Sequence, residues 1–188
     1  MISVLFQGGC APEPEQDRVP ESVTFGRQTW MATNLADTLY RNGDPIPHAA
    51  TADELWSAGE AGEGAFMRQA DGTVLYNWHA FMDPRGLGPP GWRAPSNEDW
   101  SALAETLGAD SAGWRLQHND FRATLDGFRH YTGEYDGQGT YGSWWTTTVR
   151  SDDDWYVYFR GVGTDYTELY QGESSTYYGM SVRLIRDR

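Results

Sequence analysis

The clearest hydrophobic pattern along this chain has the period of a helix. Four apolar residues recur at spacings of three and four, which places them on one helical face: Trp100, Leu103, Ala104 and Leu107. Ser96 is placed as the N-cap, Asp99 completes a capping box three residues later, and Gly108 supplies the C-terminal stop. The segment 51–59 carries a second Thr-x-x-Glu signal and ends in glycine. The pattern therefore predicts two short helices.

Period-two alternation and turn residues predict short strands elsewhere. Ser22–Leu35 is expected to form an opening hairpin, and Asp71-Gly72 to form the turn before a strand at 74–76. Further strands are predicted at 127–129, 143–148, 155–160 and 165–170, with a last alternating strand through Met180, Val182 and Leu184. Tyr131–Gly142 is predicted to be a glycine-rich loop. The predicted class is α+β, with two short helices packed on small twisted antiparallel sheets and much irregular loop.

Composition supports this interpretation and excludes some partners. The 188 residues include 9 Trp, 11 Tyr, 7 Phe and 22 Gly, which is more aromatic residues than an ordinary core needs. The length suffices for one domain with a core of its own. The net charge of −13 argues against nucleic acid and against docking on anionic lipid, because both require basic surfaces. No stretch approaches the ~20 apolar residues of a membrane span.

Five segments, in order, resemble the successive motifs of the Fibrobacter succinogenes major paralogous domain, a large bacterial group of exported proteins and lipoproteins. The segments are GRQTWMATNL (26–35), LYNWHA (75–80), PPGWRAPSNEDW (89–100), YGSWWTTT (141–148) and YGMSVRLIRD (178–187). The resemblance implies a C-type-lectin-like domain over 22–188 that serves as a binding scaffold. It also implies that the last strand lies beside the opening hairpin.

The resemblance also bears on cysteine. Members of the family commonly carry one cysteine in the Pro-x-Gly-Trp loop and one in the final strand, and the corresponding positions here are Gly88 and Leu184. Both are missing together, as expected if a disulfide was lost as a unit. Cys10 is the only cysteine, so an internal disulfide is excluded.

Residues 1–21 are interpreted as a leader and tether. A short apolar run precedes Cys10, and an acidic, proline-rich stretch follows it. This arrangement resembles a shortened lipoprotein signal with lipidation at Cys10, which would place the protein at the cell surface or outer membrane. The alternatives are a misplaced start codon and a remnant of a protease site, suggested by VLFQG.

Catalytic and metal-binding patterns are missing from the sequence. His48, His79, His118 and His130 are scattered without the spacing of a zinc site, and His79 is interpreted as a packed, hydrogen-bonded ring. Some proteins of the C-type-lectin-like fold are oxidases that use a pair of cysteines. This domain has no such pair, because the single cysteine, Cys10, lies outside it. The run 152–154 could offer carboxylates to calcium, but it lacks the spacing of a calcium loop and is interpreted as a solvated turn. We expect no enzymatic activity, no cofactor and no metal.

The C-terminal third carries the strongest functional hint. Strand alternation at 155–160 is expected to direct Trp155, Val157 and Phe159 inward and Tyr156, Tyr158 and Arg160 outward. At 165–170 the buried residue is expected to be Leu169, which exposes Tyr166, Glu168 and Tyr170. Large aromatic residues beside small polar ones are typical of binding surfaces. The competing interpretation is that these tyrosines only shield the strands.

The sequence thus predicts a non-enzymatic module that binds a protein or a glycan. The predicted ligand-binding residues are Trp145, Arg150, Asp152, Asp154, Tyr156, Tyr158, Arg160, Asp165, Tyr166, Glu168, Tyr170, Ser174 and Tyr177. The placement and residue alphabet of this region also resemble the variable segment of proteins diversified by retroelements. The alternatives are a glycan-active enzyme or accessory that uses Asp152, Asp154, Glu168 or Glu173, and a structural envelope lipoprotein.

Overall fold

The computed structural model describes residues 19–130, 135–150 and 153–186, and this part of the chain forms four α-helices and eleven short strands. In chain order they are β1 (Ser22–Phe25), β2 (Gln28–Met31), α1 (Ala52–Glu60), β3 (Phe66–Arg68), β4 (Val74–Tyr76), α2 (Trp78–Met82), β5 (Trp92–Arg93), α3 (Asn97–Leu107), α4 (Ala112–His118), β6 (Phe128–Arg129), β7 (Tyr135–Asp136), β8 (Tyr141–Arg150), β9 (Asp153–Gly163), β10 (Tyr170–Ser175) and β11 (Ile185–Arg186). The α+β class is confirmed. The two predicted helices are α1 and α3, and α2 and α4 were not predicted.

Helix α3 begins where the capping box places it. The Ser96 hydroxyl accepts a hydrogen bond from the Asp99 backbone N–H at 3.2 Å, and the Asp99 carboxylate accepts one from the Ser96 N–H at 2.8 Å. Trp100 and Leu103 are fully buried, and Gly108 ends the helix with a φ of 87°. In α1 the Thr51 hydroxyl caps Glu54, whereas the Glu54 carboxylate reaches Ala50. The capping box of α3 is therefore complete. In α1 only the bond to the Thr51 hydroxyl forms, because the Glu54 carboxylate binds the Ala50 N–H instead.

The opening hairpin and the chain's last strand share one sheet, in the order β1-β2-β11-β5. Ile185 pairs with Trp30 on one side and with Arg93 on the other, which confirms the predicted closeness of the two ends. The predicted alternation over 180–184 is wrong. Every residue from 179 to 185 is buried, because this segment runs between the sheets and has no solvent-facing side.

We call residues 179–185 the central segment, because isolated bridges tie it to three other parts of the fold. Met180 pairs with Tyr76, Gly179 with Arg129, and Ser181 with Trp144. Within it, the fully buried Arg183 guanidinium donates to the Asn34 side-chain oxygen and to the backbone carbonyls of Met31 and Phe121, at 2.7–3.0 Å. The central segment therefore connects the opening hairpin to the C-terminal sheet.

The C-terminal sheet, in the order β10-β9-β8, separates two hydrophobic clusters. Trp145 and Val157 point from one face into a cluster that includes Tyr76 and Phe81. Trp144 and Val162 point from the other face into a cluster with α3 and α4. Adjacent residues of β8 thus enter different cores, because strand side chains alternate.

The strand predicted at 165–170 is wrong, and residues 164–169 form a loop. The Trp114 N–H in α4 donates to the Thr167 carbonyl at 2.9 Å, and the Thr167 hydroxyl donates to the Asp110 carbonyl at 2.7 Å. Leu169 is buried, as predicted. These contacts hold the loop against α4, so its backbone cannot join the sheet. The residues that follow, Tyr170–Ser175, form β10.

Gly88 and Leu184 are neighbours in space. A Cβ atom built on Gly88 would lie 2.5 Å from the Leu184 Cδ1 atom, so the leucine side chain fills the space that a side chain at position 88 would need.

The loop predicted over 131–142 contains strand residues in the structure. Strand β7 pairs with β6, and β8 already begins at Tyr141. The predicted lipidation site, Cys10, lies outside the described residues.

Candidate functional site

An open hollow of about 490 Å³ lies at one end of the C-terminal sheet. Five aromatic rings line it, together with Asp136, Gly137 and Thr140. We call these rings the aromatic cup: Phe128, Tyr141, Phe159, Tyr166 and Tyr170. They come from β6, β8, β9, β10 and the loop 164–169, so the cup exists only once the sheet has formed.

The rings of the cup form a continuous chain. Neighbouring centroids are 6.3 Å apart for Phe128 and Tyr141, 6.1 Å for Tyr141 and Tyr166, 6.0 Å for Tyr166 and Tyr170, and 6.1 Å for Tyr170 and Phe159. The planes of successive rings meet at 52–78°. None of these four pairs is a parallel stack. The rings are therefore arranged as adjoining walls around the hollow.

Glycines in the sheet give the rings the room to lie against the backbone. A Cβ atom on Gly161 would come within 2.7 Å of the Tyr141 hydroxyl, and one on Gly163 within 2.8 Å of the Tyr166 ring. A Cβ atom on Gly172 would come within 2.5 Å of Phe159 and 2.8 Å of Tyr170. An aromatic ring that lies over a glycine has few alternative positions, so these glycines restrict the rings of the cup.

Short backbone contacts hold the rim that carries Tyr141. The Gly127 N–H donates to the Tyr141 carbonyl at 2.7 Å, and the Tyr141 N–H donates to the Gly137 carbonyl at 2.6 Å. Gly127 also forms a parallel bridge with Gly142, which brings β6 beside β8. Phe128 reaches the cup for this reason, although its position in the sequence gives no hint of it.

The electrostatic environment of the cup is acidic. Burial, and then the neighbouring Tyr166 hydroxyl, raise the pKa of Tyr141. Burial also raises the pKa of Tyr166, and the nearby carboxylates of Glu168 and Asp165 add to that rise. The sequence contains no lysine, and no arginine is among the described residues that line the hollow. The cup therefore disfavours added negative charge.

A second group of predicted residues lies on the outer face of β9 and β10, away from the cup. Arg150 forms an ion pair with Glu173 at 2.9 Å, and its guanidinium carbon is 5.6 Å from the Tyr156 ring centre. Tyr158 is opposite Glu173 in the strand register and is half-buried. The outer face is thus a network of polar and aromatic side chains that contact one another.

The direction predicted for Trp155 is wrong. Its side chain is 60% exposed, and its ring meets the Tyr177 ring edge-on at 5.7 Å. Tyr177 is buried and also contacts Trp56, at 4.9 Å. Strand β9 extends beyond the hydrophobic cluster at this end, so an inward-facing position no longer has a core to enter.

The structure divides the predicted binding residues by exposure. Tyr156, Asp165, Glu168 and Tyr170 are exposed, and Arg150, Tyr158 and Tyr166 are half-buried. Four others are corrected, because they are buried: Trp145, Arg160, Ser174 and Tyr177. Asp152 lies outside the described residues, and of Asp154 only the backbone is described.

Two of the buried residues have clear internal roles. The Trp145 indole N–H donates to the Tyr76 carbonyl at 2.7 Å, deep in the first cluster. Arg160 donates to the Asn97 side-chain oxygen at 2.7 Å and to the Ser101 hydroxyl at 2.6 Å, so it ties the sheet to α3. Neither side chain is available to a ligand.

Sequence reasoning missed six residues that line the hollow, namely Phe128, Asp136, Gly137, Thr140, Tyr141 and Phe159. The available signal was the set of glycines at 161, 163 and 172, since a glycine inside a strand often marks the close approach of another group. That signal does not say which ring approaches.

Other chemistry finds little support in the described part of the chain. Within it, no three histidine, cysteine or acidic side chains are grouped as metal ligands would be. His79 is half-buried beside Trp78, and burial lowers its pKa while a hydrogen bond with the Gly59 backbone opposes that shift. None of the described helices has the length and apolar character needed to cross a membrane.

Comparison with known proteins gives one match. The family model described as the Fibrobacter succinogenes major domain matches residues 23–186, which include every strand and helix of the fold except the first residue of β1. No curated protein and no solved structure matched the chain significantly. Because the family model covers well over half of the sequence, the chain belongs to the Fibrobacter succinogenes major domain family.

Proposed function

We propose that this protein is a non-enzymatic binding module whose ligand, a group on a protein or a glycan, enters the aromatic cup. The observation that carries the proposal is the cup itself, five rings around an open hollow of about 490 Å³. Ligand sites in proteins are concave, mostly apolar or aromatic, and carry a few polar groups that orient the ligand. Asp136 and Thr140 supply such groups here.

The arrangement of the rings favours binding over simple shielding. Rings that only shield a sheet need do no more than pack on one another and on cross-strand neighbours. These rings also line an open hollow, and Tyr170 remains 43% exposed. The backing glycines and the anchored loop 164–169 restrict the rings, so a ligand pays little to order them.

The structure suggests a test with a matched control. Tyr166→Ala/Tyr170→Ala removes two walls of the cup, whereas Tyr156→Ala/Tyr158→Ala removes two tyrosines of the outer face. We expect the first double variant to lose binding to ligands found on a glycan array or a panel of surface proteins by tenfold or more, and the second to retain it. If the second variant loses binding and the first does not, the site is on the outer face and the proposal is wrong.

The non-enzymatic part of the proposal rests on the distribution of carboxylates. Hydrolysis of a glycoside needs two positioned carboxyl groups, and Asp136 is the only acidic residue among the described residues that line the hollow. Glu173, one of the candidates for an enzyme, is held by Arg150. A hydrolysis screen run beside the glycan array separates the two functions, because product release would establish an enzyme.

We propose further that the module is displayed on the bacterial surface through a lipid on Cys10. Export is common to the family that the five motifs resemble. Metabolic labelling with a palmitate analogue should mark the wild type and not Cys10→Ser, and equal labelling of both would exclude this anchor.

A second suggestion is that a retroelement diversifies the C-terminal segment, and the Tyr, Ser, Asp and Gly residues of 164–178 support it. Flanking DNA without a template repeat or a reverse transcriptase gene would exclude it.

A further inference from the structure

We infer that the group bound in the aromatic cup is a small alkylammonium cation of the choline or tetramethylammonium type. The inference rests on the proposed function and specifies its ligand class. Three properties of the cup support it: the angles between its rings, the spacing of its rings, and the sign of the surrounding charge.

The ring angles favour a compact group over a flat one. The C–H face of a sugar ring, or a planar ligand, packs on an open aromatic ring face that lies parallel to it. In the cup, successive rings meet at 78°, 66°, 52° and 57° from Phe128 around to Phe159. The hollow lies where these tilted rings adjoin, so a group bound in it is surrounded from several sides. A roughly spherical group can contact several of the rings at once, whereas a flat one stacks on only one or two.

The ring spacing fits the distance over which cation–π attraction acts. A cation is attracted when it lies within about 6 Å of a ring centroid, and several rings around one cation form an aromatic cage. Neighbouring centroids in the cup are 6.0–6.3 Å apart. A cation seated in the hollow in front of two adjacent rings can lie within that range of both, and the other lining rings offer it further contacts.

The surrounding charge selects a cation rather than a neutral group of the same shape. Asp136 lines the hollow, and the carboxylates of Asp165 and Glu168 are near enough to affect Tyr166. The described residues around the hollow include no basic side chain, and the protein has a net charge of −13. The nearest arginine on the same hairpin, Arg129, already lies over the Tyr135 ring at 4.1 Å. An alkylammonium ion thus meets carboxylates and ring faces together.

The test compares choline with 3,3-dimethyl-1-butanol, which has the same shape without the charge. Binding to the whole protein is followed by isothermal titration calorimetry and by the shifts of aromatic NMR signals, at low salt. We expect choline and tetramethylammonium to bind, and the neutral alcohol to bind at least tenfold more weakly. Asp136→Asn should weaken choline binding severalfold, and 0.5 M sodium chloride should weaken it as well.

Variants distinguish the rings from the fold. Tyr170→Phe keeps the ring face and should retain choline binding within about twofold, whereas Tyr170→Leu should weaken it at least fivefold. Tyr156→Ala, on the outer face, is the matched control and should bind choline as the wild type does. Near-ultraviolet circular dichroism shows whether each variant is folded, and the Tyr170→Phe comparison remains informative if Tyr170→Leu is not.

Three results would overturn the inference. Equal affinity for choline and the neutral alcohol would show that the hollow is only an apolar site. If choline does not bind at millimolar concentration, but a glycan or protein ligand binds and is lost in Tyr166→Ala/Tyr170→Ala, the cation is wrong and the proposed function stands. If such a ligand binds and the cup variants do not affect it, both are wrong.

Discussion

At the scale of single residues, Arg183 shows how the fold tolerates a buried charge. Its guanidinium is fully buried and is hydrogen-bonded to neutral oxygens, those of Asn34, Met31 and Phe121. Its carbon lies 4.1 Å from the centre of the Phe121 ring. Burial lowers its pKa to about 9, an effect that the nearby Asp126 carboxylate partly opposes. The side chain thus connects distant backbone segments but carries a desolvation cost.

Arg183→Ala and Arg183→Met separate these two contributions. The alanine leaves a cavity and two buried carbonyls without their donor, so we expect a loss of about 3–5 kcal/mol in the free energy of unfolding. Methionine fills much of the volume and removes the buried charge, so its loss should be smaller by about 1 kcal/mol or more. Urea denaturation at pH 7 measures both.

Arg115→Met on the exposed face of α4 is the control for this pair and should change stability by about 0.5 kcal/mol or less. Equal losses for the alanine and methionine variants at position 183 would contradict the account. They would mean that the hydrogen bonds, rather than volume and desolvation, set the cost of changing this residue.

Residue directions were predictable only where a strand lies over a core. Val157 points inward as predicted, because the first hydrophobic cluster lies beneath it. Trp155, two residues earlier on the same face, is exposed because the cluster ends before it. Arg160 is buried against its expected direction, because α3 covers that face and supplies acceptors. Alternation identifies which residues share a face, but not what covers the face.

At the scale of elements, the start of α3 combines a cap with an ion pair. Burial raises the pKa of Asp99, whereas hydrogen bonds from Arg93 and from the Ser96 N–H lower it. The lowering is the larger effect, so the pKa of Asp99 lies below its ordinary value. The Arg93 Nη1 atom lies 2.7 Å from the Asp99 Oδ2 atom. A carboxyl whose pKa is lower in the folded state stabilises the protein above the unfolded pKa of about 3.9, and that stability is lost as the pH falls through the folded value.

Asp99→Ala should therefore cost stability in a pH-dependent way. We expect a loss of about 1–2 kcal/mol at pH 7, typical of a missing cap with an added charge contact. The difference from the wild type should shrink as the pH falls from about 4 toward 2. Guanidinium chloride denaturation at several pH values measures it. Glu105→Ala, an exposed acid on the same helix, should show a small and constant effect; a constant difference for Asp99→Ala as well would contradict the prediction.

Elements set by local chemistry were predictable from the sequence, and those set by distant contacts were not. The α3 cap and the turn at Asp71-Gly72 depend on residues within a few positions of each other, and both were found as predicted. The alternating segment 165–170 resembles a strand, but α4 holds its backbone through Trp114 and Asp110. Three of the five rings of the cup, Phe128, Tyr141 and Phe159, were missed because distant contacts bring them together.

At the scale of the whole molecule, the contact between Gly88 and Leu184 offers a way to link two distant parts of the chain. We expect Gly88→Cys/Leu184→Cys, in a Cys10→Ser background, to form an intramolecular disulfide under mild oxidation. The gain in the free energy of unfolding should be roughly 2–4 kcal/mol, since the bond closes a long loop of the unfolded chain. Thiol titration and denaturation with and without reductant measure both effects.

Gly88→Cys alone is the informative control for this pair. With Leu184 retained, the new side chain would overlap the leucine, and Gly88 has a φ of 66° that suits glycine. We expect the single variant to be destabilised by about 1–3 kcal/mol. Two free thiols in the double variant after oxidation would show that the two positions do not correspond to a lost bridge.

The central segment has a consequence for how the protein is made. Arg183 reaches the Met31 carbonyl across 152 residues of sequence, and Ile185 supplies the strand that β2 needs on its inner edge. At about 5–20 residues per second, a ribosome needs roughly 8–30 seconds to synthesise that intervening length. Throughout that time the nascent hairpin with Trp30 stays incomplete. A holding chaperone therefore has tens of seconds in which to capture the emerging chain before it can close.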